Sequence, residues 1–306
     1  ISTLGGLHKM AAWPGLIMTD SGGFQAYSLI RQNAKFGSLT EKGLVIYPEG
    51  SSRKLLLTPE KSIQLQMSYG SDILVCLDDC THVNASRAEQ EASVTRTLAW
   101  AARAKASYQS QLKSRKWSDE ERPLLFAVIQ GGAELDLRRR CAEGLLEIGF
   151  DGFGFGGWPL DEDSNLLTDI LEYTRSLIPR EFPLHALGIG HPVGIVTSFK
   201  LGYEMFDCAL PTRDARHGRL YTWSEANPAL TQDGSWLKFR YINTEENFHD
   251  PGPISPGCDC ECCRDYSMGY LFHLYRMRDP SYMRLATKHN LRFMTQLIER
   301  LQHPNA

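Results

Sequence analysis

The chain lacks the uninterrupted apolar run of about 18 residues that a membrane-spanning helix needs, and it opens on no signal-peptide pattern. Low-complexity tracts are absent as well. Hydrophobic residues at 42% and charged residues at 23% are ordinary globular values and exclude a disordered chain. A net charge of −3 argues against nonspecific coating of nucleic acid, although it leaves a local basic patch open. No G-x-G-x-x-G follows the first strand-like run, which weakens a dinucleotide-binding fold. These absences leave a cytoplasmic globular protein. Its 306 residues suffice for one large α/β domain with a small appendage, or for two ordinary domains.

Of the 8 cysteines, Cys76, Cys80, Cys141 and Cys208 lie scattered in apolar segments, as small buried hydrophobes do. The other four crowd into "CDCECC", residues 258–263. Cys258, Cys260 and Cys263 form C-x-C-x₂-C, and His289 follows inside a helical pattern. Alone, that histidine reads as a satisfied helix residue; with three clustered cysteines it completes a closed tetrahedral zinc site, structural because no position is left for water. Cys262 is a spare that stands close enough to replace a neighbour.

Six apolar runs end at polar or glycine-rich corners: 15–20, 71–79, 123–132, 149–157, 182–190 and 204–211. Without strict alternation and bounded by Gly and Pro, they read as strands buried on both faces. Helical patterns at 58–70, 85–113, 133–148, 163–178 and 192–203 separate most of them, and 36–57 reads as a β-hairpin excursion. Thr58 is the expected N-cap of its helix, Pro59 its first residue and Gly70 its stop.

Repeated β–α alternation means a parallel sheet, doubly wound or closed as a (β/α)₈ barrel. The polar residues favour the barrel, because Asp20, Asp78 with Asp79, Gln130, Gly156 with Gly157, Gly188 and Asp207 all fall at C-terminal strand ends, where a barrel gathers its site. Six of the eight strands are evident. The expected division is a barrel over 1–250 and a small zinc-binding subdomain with the last helix over 251–306.

Any one of Asp20, Asp78 and Asp207 is as readily a helix cap as a catalytic group. Three of them with an amide between suit glycosidic-bond chemistry, in which one carboxylate attacks the anomeric carbon and another moves the proton. In "TDSGGFQ" (19–25) the glycines permit close backbone approach, and Phe24 offers a flat face for a base or sugar. In "MFDCALPTRDARHGR" (205–219) a carboxylate is followed by three arginines, an arrangement for an anion.

The stretches "TDSGGFQAYSL", "LTPEKSIQLQMSYGSDI", "LDDCT", "VIQGG", "GFDGFGFGG", "LGIGHP" and "FDCALPTR", with the Cys₃His tail, resemble in order the tRNA-guanine transglycosylases, also called queuine tRNA-ribosyltransferases. The resemblance implies a (β/α)₈ barrel with a zinc-binding subdomain and exchange of guanine at the tRNA wobble position for a 7-deazaguanine. It implies Asp207 as nucleophile and Asp20 as general acid/base. Asp78, Gln130, Gly156 and Gly157, with Phe24, Trp158 and Leu187, would bind the base, while Arg213 and Arg216 would read the anticodon. It further implies a homodimer.

The chain departs from the family pattern in three places. It takes up the resemblance after two strands that would also line the pocket. In "GGWPLDE" (156–162) Pro159 removes an N–H, leaving the Trp158 carbonyl to favour a donor such as an aminomethyl group, while Leu160 would crowd a cyclopentenediol; Cys80 also resembles bacterial members. No RNA-binding domain of the archaeal kind follows the cysteine segment. A non-catalytic partner subunit, or an enzyme placing deazaguanine in DNA, are the competing readings; the presence of both Asp20 and Asp207 tells against the first and "PTRDAR" against the second.

Overall fold

The computed structural model describes residues 1–47, 54–82 and 84–303. The described chain forms two compact units, Ile1–His185 and Ala186–Ala306.

The first unit begins with α1 (Leu7–Ala11), β1 (Met18–Thr19) and α2 (Gly23–Gln32). An antiparallel excursion follows, β2 (Gly37–Thr40), β3 (Gly43–Ile46) and β4 (Leu55–Leu57), paired in the order β2-β3-β4. The expected hairpin is therefore a three-stranded sheet, because Leu44–Ile46 also pair with Leu55–Leu57; residues 48–53 of that stretch lie outside the described residues. Leu44 of this sheet packs with Ala26 and Trp100 in a small apolar cluster.

Then come α3 (Pro59–Tyr69), β5 (Ile73–Val75), α4 (Arg87–Arg115), β6 (Leu124–Ile129), α5 (Leu135–Ile148), β7 (Gly152–Phe155), α6 (Thr168–Ser176) and β8 (Leu184–Ala186). The caps of α3 are those expected: Thr58 Oγ1 accepts from the Lys61 N–H, Pro59 opens the helix, and Gly70 closes it at φ 73°. The capping box of α4, Ser86 with Glu89, is complete. The helix expected at 163–178 starts only at Thr168. Residues before it fold back on themselves instead, through Asp161 N–H to Asn165 O (2.9 Å) and Leu167 N–H to Pro159 O (2.9 Å).

In the second unit α7 (Pro192–Leu201), β9 (Met205–Phe206) and α8 (Leu210–Arg216) precede the antiparallel pair β10 (Arg219–Trp223) and β11 (Leu237–Tyr241). The chain then runs through α9 (Glu261–Asp265), α10 (Met268–Arg276) and the long α11 (Pro280–Gln302). Met268, Leu271, Phe272, Leu285 and Ala286 form the apolar centre of this part.

The main sheet has the strand order β1-β5-β6-β7-β8-β9, with parallel pairing from β1 through β8. Chain order equals spatial order, so no crossover reverses direction. A doubly wound sheet reverses at its switch point and a (β/α) barrel does not, so the fold is of the barrel class, with six of its strands in this chain. Leu125 through Ile129 are buried without a break, which is why β6 shows no alternation in sequence. The polar strand-end residues follow directly from this order. Among the described residues, no helix is long and apolar enough to cross a membrane.

Candidate active site and metal centre

In the first unit, four strand ends carry the polar residues expected there. Asp20 follows β1 and is exposed. The turn after it is held by Ser21, whose Oγ accepts the Gly23 N–H (3.1 Å) and whose carbonyl accepts Ser62 Oγ (2.9 Å). That turn starts α2 with Phe24 exposed at its first turn. Asp78, past β5, meets Gln130, past β6: Gln130 Nε2 donates to Asp78 Oδ2 at 2.6 Å. Gln130 is wholly buried, and its Oε1 has no partner among the described residues. Asp79, by contrast, is a scaffold residue. Its buried carboxylate is ion-paired with Arg96, which also meets Glu41 at 2.9 Å.

Asp78 is half-buried and holds its proton unusually well. Burial pushes its carboxyl up to about 7, the charge of Asp20 adds to the rise, and the Gln130 hydrogen bond opposes it. The unfolded chain therefore loses this proton first, and stability falls as pH rises from the ordinary carboxylate range toward 7, staying low above it. Asp78→Asn should remove that dependence. Its melting temperature is expected to exceed that of the parent at pH 8 by more than at pH 5, a difference worth a few kcal/mol at most at about 1.4 per unit. Equal gains at both pH values, read by thermal unfolding, would contradict the assignment.

Gly156 and Gly157 follow β7. A Cβ on Gly156 would fall 2.5 Å from Gln130 Nε2 and 2.6 Å from Val128 Cγ1, so only glycine lets that amide lie against the strand end. Gly157 sits at φ 86°, a left-handed conformation. Trp158 is exposed beside two other rings, Phe24 and His82, each with centroids 6.1 Å away. Its carbonyl accepts no hydrogen bond among the described residues. The loop beyond it is fixed by the Leu160–Leu166 bridge and by Asn84 Nδ2 donating to Glu162 Oε1 at 2.5 Å.

In the second unit, Asp207 follows β9 and is exposed; the Gly188 N–H donates to its Oδ1 at 3.1 Å. Leu187 is half-buried next to that amide. Cys208, expected to be buried, is exposed, because β9 ends at Phe206 and the chain turns outward before α8. Arg213 and Arg216 lie three residues apart on α8, hence on one face, exposed and without a carboxylate partner among the described residues. Arg219 behaves otherwise. Its guanidinium stacks on Phe239 (3.8 Å to the centroid) and approaches Asp214 at 3.7 Å, so the third arginine of the motif is a packing residue.

Cys258, Cys260, Cys263 and His289 come together with all four ligand atoms within 4.8 Å of one another. His289 Nδ1 lies 3.7, 3.7 and 3.3 Å from the three sulfurs. Bond lengths of about 2.3 Å to sulfur and 2.0 Å to nitrogen around a tetrahedral ion put those atoms about 3.6 Å apart. His289 Nε2–H donates to the Tyr221 carbonyl at 2.7 Å, which fixes the tautomer and leaves Nδ1 as a lone-pair donor. The four residues thus fit a metal ion. Cys262 does not join them; it is wholly buried in the apolar cluster, where burial raises its thiol.

Three buried polar residues that support these sites gave no signal in sequence. Asn290 on α11 accepts from the Tyr221 N–H (3.1 Å) and donates to the carbonyls of Pro211 and Arg219 (3.0 Å each). With its neighbour His289 it ties α11, β10 and the start of α8 together. Gln90 accepts from Thr81 Oγ1 (2.6 Å) and donates to the His82 carbonyl (3.1 Å), bracing the loop after β5. Arg138 is the third.

Strand-end carboxylates on a (β/α)-barrel sheet and a Cys₃His cluster that could hold a metal ion define the class: a barrel protein with acidic strand ends and a candidate metal centre. A sequence model of the family described as queuine tRNA-ribosyltransferase matches residues 1–304. The chain is 35% identical over 305 residues to the queuine tRNA-ribosyltransferase of Psychrobacter sp. (strain PRwf-1), covering 98% of this chain and 73% of that protein. It is 36% identical over 302 residues to the one from Lysinibacillus sphaericus (99% and 72%) and 36% over 301 residues to the one from Solidesulfovibrio magneticus (98% and 74%). The chain belongs to the queuine tRNA-ribosyltransferase family, a family of pentosyl-transferring enzymes.

Proposed function

We propose that this chain exchanges guanine at the wobble position of a tRNA for a 7-deazaguanine base. The observation that carries the reading is Asp207: an exposed carboxylate at a strand end, oriented by the Gly188 N–H, in a chain matched along its length by a ribosyltransferase family. Asp207 attacks C1′ of the ribose as the C–N bond to guanine breaks, and Asp20 gives the departing base its proton. The incoming base then attacks C1′, expelling Asp207 and passing a proton to Asp20, so two inversions give retention.

Asp78, once ionised, accepts from the N–H donors of the guanine edge, and Gln130 with the Gly156–Gly157 backbone serves the remaining polar positions. Phe24 covers the base face and Leu187 adds an apolar contact. Arg213 and Arg216 supply forked donors to anticodon bases or phosphates. The Cys₃His group would hold Zn²⁺, which supplies no chemistry to the exchange and fixes the fold around α11. The working division is then a barrel over 1–250 and a metal subdomain over 251–306, acting in the cytoplasm as a homodimer.

The Trp158 carbonyl, which accepts no hydrogen bond among the described residues, suits a cationic donor on the incoming base, and Leu160 limits bulk. Queuine carries the same donor nitrogen with a cyclopentenediol added, so the difference falls to Leu160: 7-aminomethyl-7-deazaguanine is expected to show a KM at least about tenfold below that of queuine, forcing extra bulk against a packed side chain costing roughly 1–3 kcal/mol. A base-bound structure with that carbonyl turned away from the substituent would contradict this. The proposed exchange itself is tested by incubating the protein with labelled guanine and a tRNA carrying G or A at the wobble position. Label is expected in the first tRNA alone; label in neither, or in both, would overturn the reading.

A further inference from the structure

The family motifs explain which residues would face a base, but not what holds them in register. Arg138, on the first turns of α5, is buried, and its guanidinium reaches three backbone carbonyls from two strand ends: Nε donates to Gly132 O (2.8 Å), one Nη to Ile129 O (3.0 Å) and the other to Gly156 O (3.0 Å). The same group lies 4.1 Å from the centroid of Phe155. Its charge is thus met by the negative ends of three peptide dipoles and an aromatic face, a costly arrangement to bury unless each contact is kept.

The carbonyls it takes bracket the candidate base-reading groups. Ile129 and Gly132 flank Gln130, and Gly156 immediately precedes Gly157. In a trans peptide the C=O of one residue and the N–H of the next point in opposite directions. With the Gly156 carbonyl held by buried Arg138, the Gly157 N–H must point away from the guanidinium. Gly157 is partly accessible, and its N–H has no acceptor among the described residues.

We propose that Arg138 is a positioning residue for base recognition: by clamping the Gly156 carbonyl it turns the Gly157 N–H toward the base, as the donor that recognises a 6-oxo group. This rests on the exchange reading above. Arg138 touches no substrate; it acts through the peptide. Planar bridging by a fork is something a lysine ammonium does not reproduce, so the charge alone should not suffice.

The test compares inhibition constants of guanine, 2-aminopurine (no 6-oxo group) and hypoxanthine (6-oxo kept, 2-amino lost) for the parent, Arg138→Lys and Arg138→Met. In both variants guanine and hypoxanthine should weaken together by at least tenfold, while 2-aminopurine and tRNA affinity stay within about twofold. A purely structural role would weaken all three bases alike, and rescue by lysine would reduce the residue to a charge; either result overturns the proposal. Because the variants could fail to fold, the parent protein gives a second readout. With glycine ¹⁵N-labelled, the Gly157 amide signal should shift on adding guanine and not on adding 2-aminopurine. A signal unmoved by bound guanine overturns the positioning role alone, whereas no binding of guanine at all overturns the exchange reading and this proposal with it.

Discussion

Asp207→Asn is expected to abolish base exchange, with a loss of at least about 10³-fold, while tRNA binding and the melting temperature stay near those of the parent. The asparagine keeps the Oδ1 that accepts the Gly188 N–H, so the local fold has no reason to change. What disappears is the anionic oxygen proposed to bond to C1′, and a neutral amide is no substitute for a nucleophile. Asp20→Asn should be less severe, about 10²–10⁴-fold, because it removes a proton carrier and leaves the nucleophile in place. The comparison is informative because both residues are exposed at strand ends, so neither variant empties a packed core. Single-turnover exchange with filter-binding of tRNA measures both quantities. A fully active Asp207→Asn would remove the nucleophile assignment, and a variant that no longer bound tRNA would make the residue part of the RNA grip.

Metal loss should produce the second large effect. Structural zinc in small Cys/His sites binds with roughly 10–16 kcal/mol, which is folding free energy. Here His289 and Asn290 share a turn of α11, one facing the sulfurs and the Tyr221 carbonyl, the other bridging Tyr221, Arg219 and Pro211. Chelation, or Cys260→Ser, is therefore expected to melt the segment around 258–263, to loosen the start of α8 that carries Arg213 and Arg216, and to weaken tRNA binding at least tenfold. Cys262→Ala should keep one zinc per chain and cost only about 1 kcal/mol, as an ordinary core truncation does. Metal analysis and tRNA titration of these variants are sufficient. Full zinc content in Cys260→Ser would break the ligand set, and zinc loss in Cys262→Ala would put the spare thiol back among the ligands.

The strand ends were legible because a run buried on both faces needs no alternation and stops abruptly at Gly or Asp, so six boundaries could be read from composition alone. The metal centre was legible because C-x-C-x₂-C has few other uses. Helix α3 declared itself through Thr58, Pro59 and Gly70, each with a local role. What escaped were residues whose meaning is tertiary. "RRR" at 138–140 reads as a solvated helix face, yet Arg138 is buried under two strand ends while its two neighbours are exposed. Asn290 looks like a weak helix residue until Tyr221, 69 positions earlier, supplies the N–H it accepts. The stretch 161–167 resembles a helix start because Asp and Ser cap helices, but the same side chains close a turn as readily, and here Asp161 Oδ1 accepts the Asn165 N–H. Cys208 reads as a core thiol from its apolar neighbours, yet a chain leaving a strand does not bury it.

The central claim is that Asp207 carries the ribose between two bases. Its most direct test is to denature the protein during reaction with a wobble-G tRNA and no incoming base, digest protein and RNA, and locate the ribose adduct by mass spectrometry. An adduct on the peptide containing Asp207, which disappears when guanine is added before denaturation, is the expected result. An adduct on the peptide containing Asp20, or steady exchange with no adduct at any time, would contradict the account.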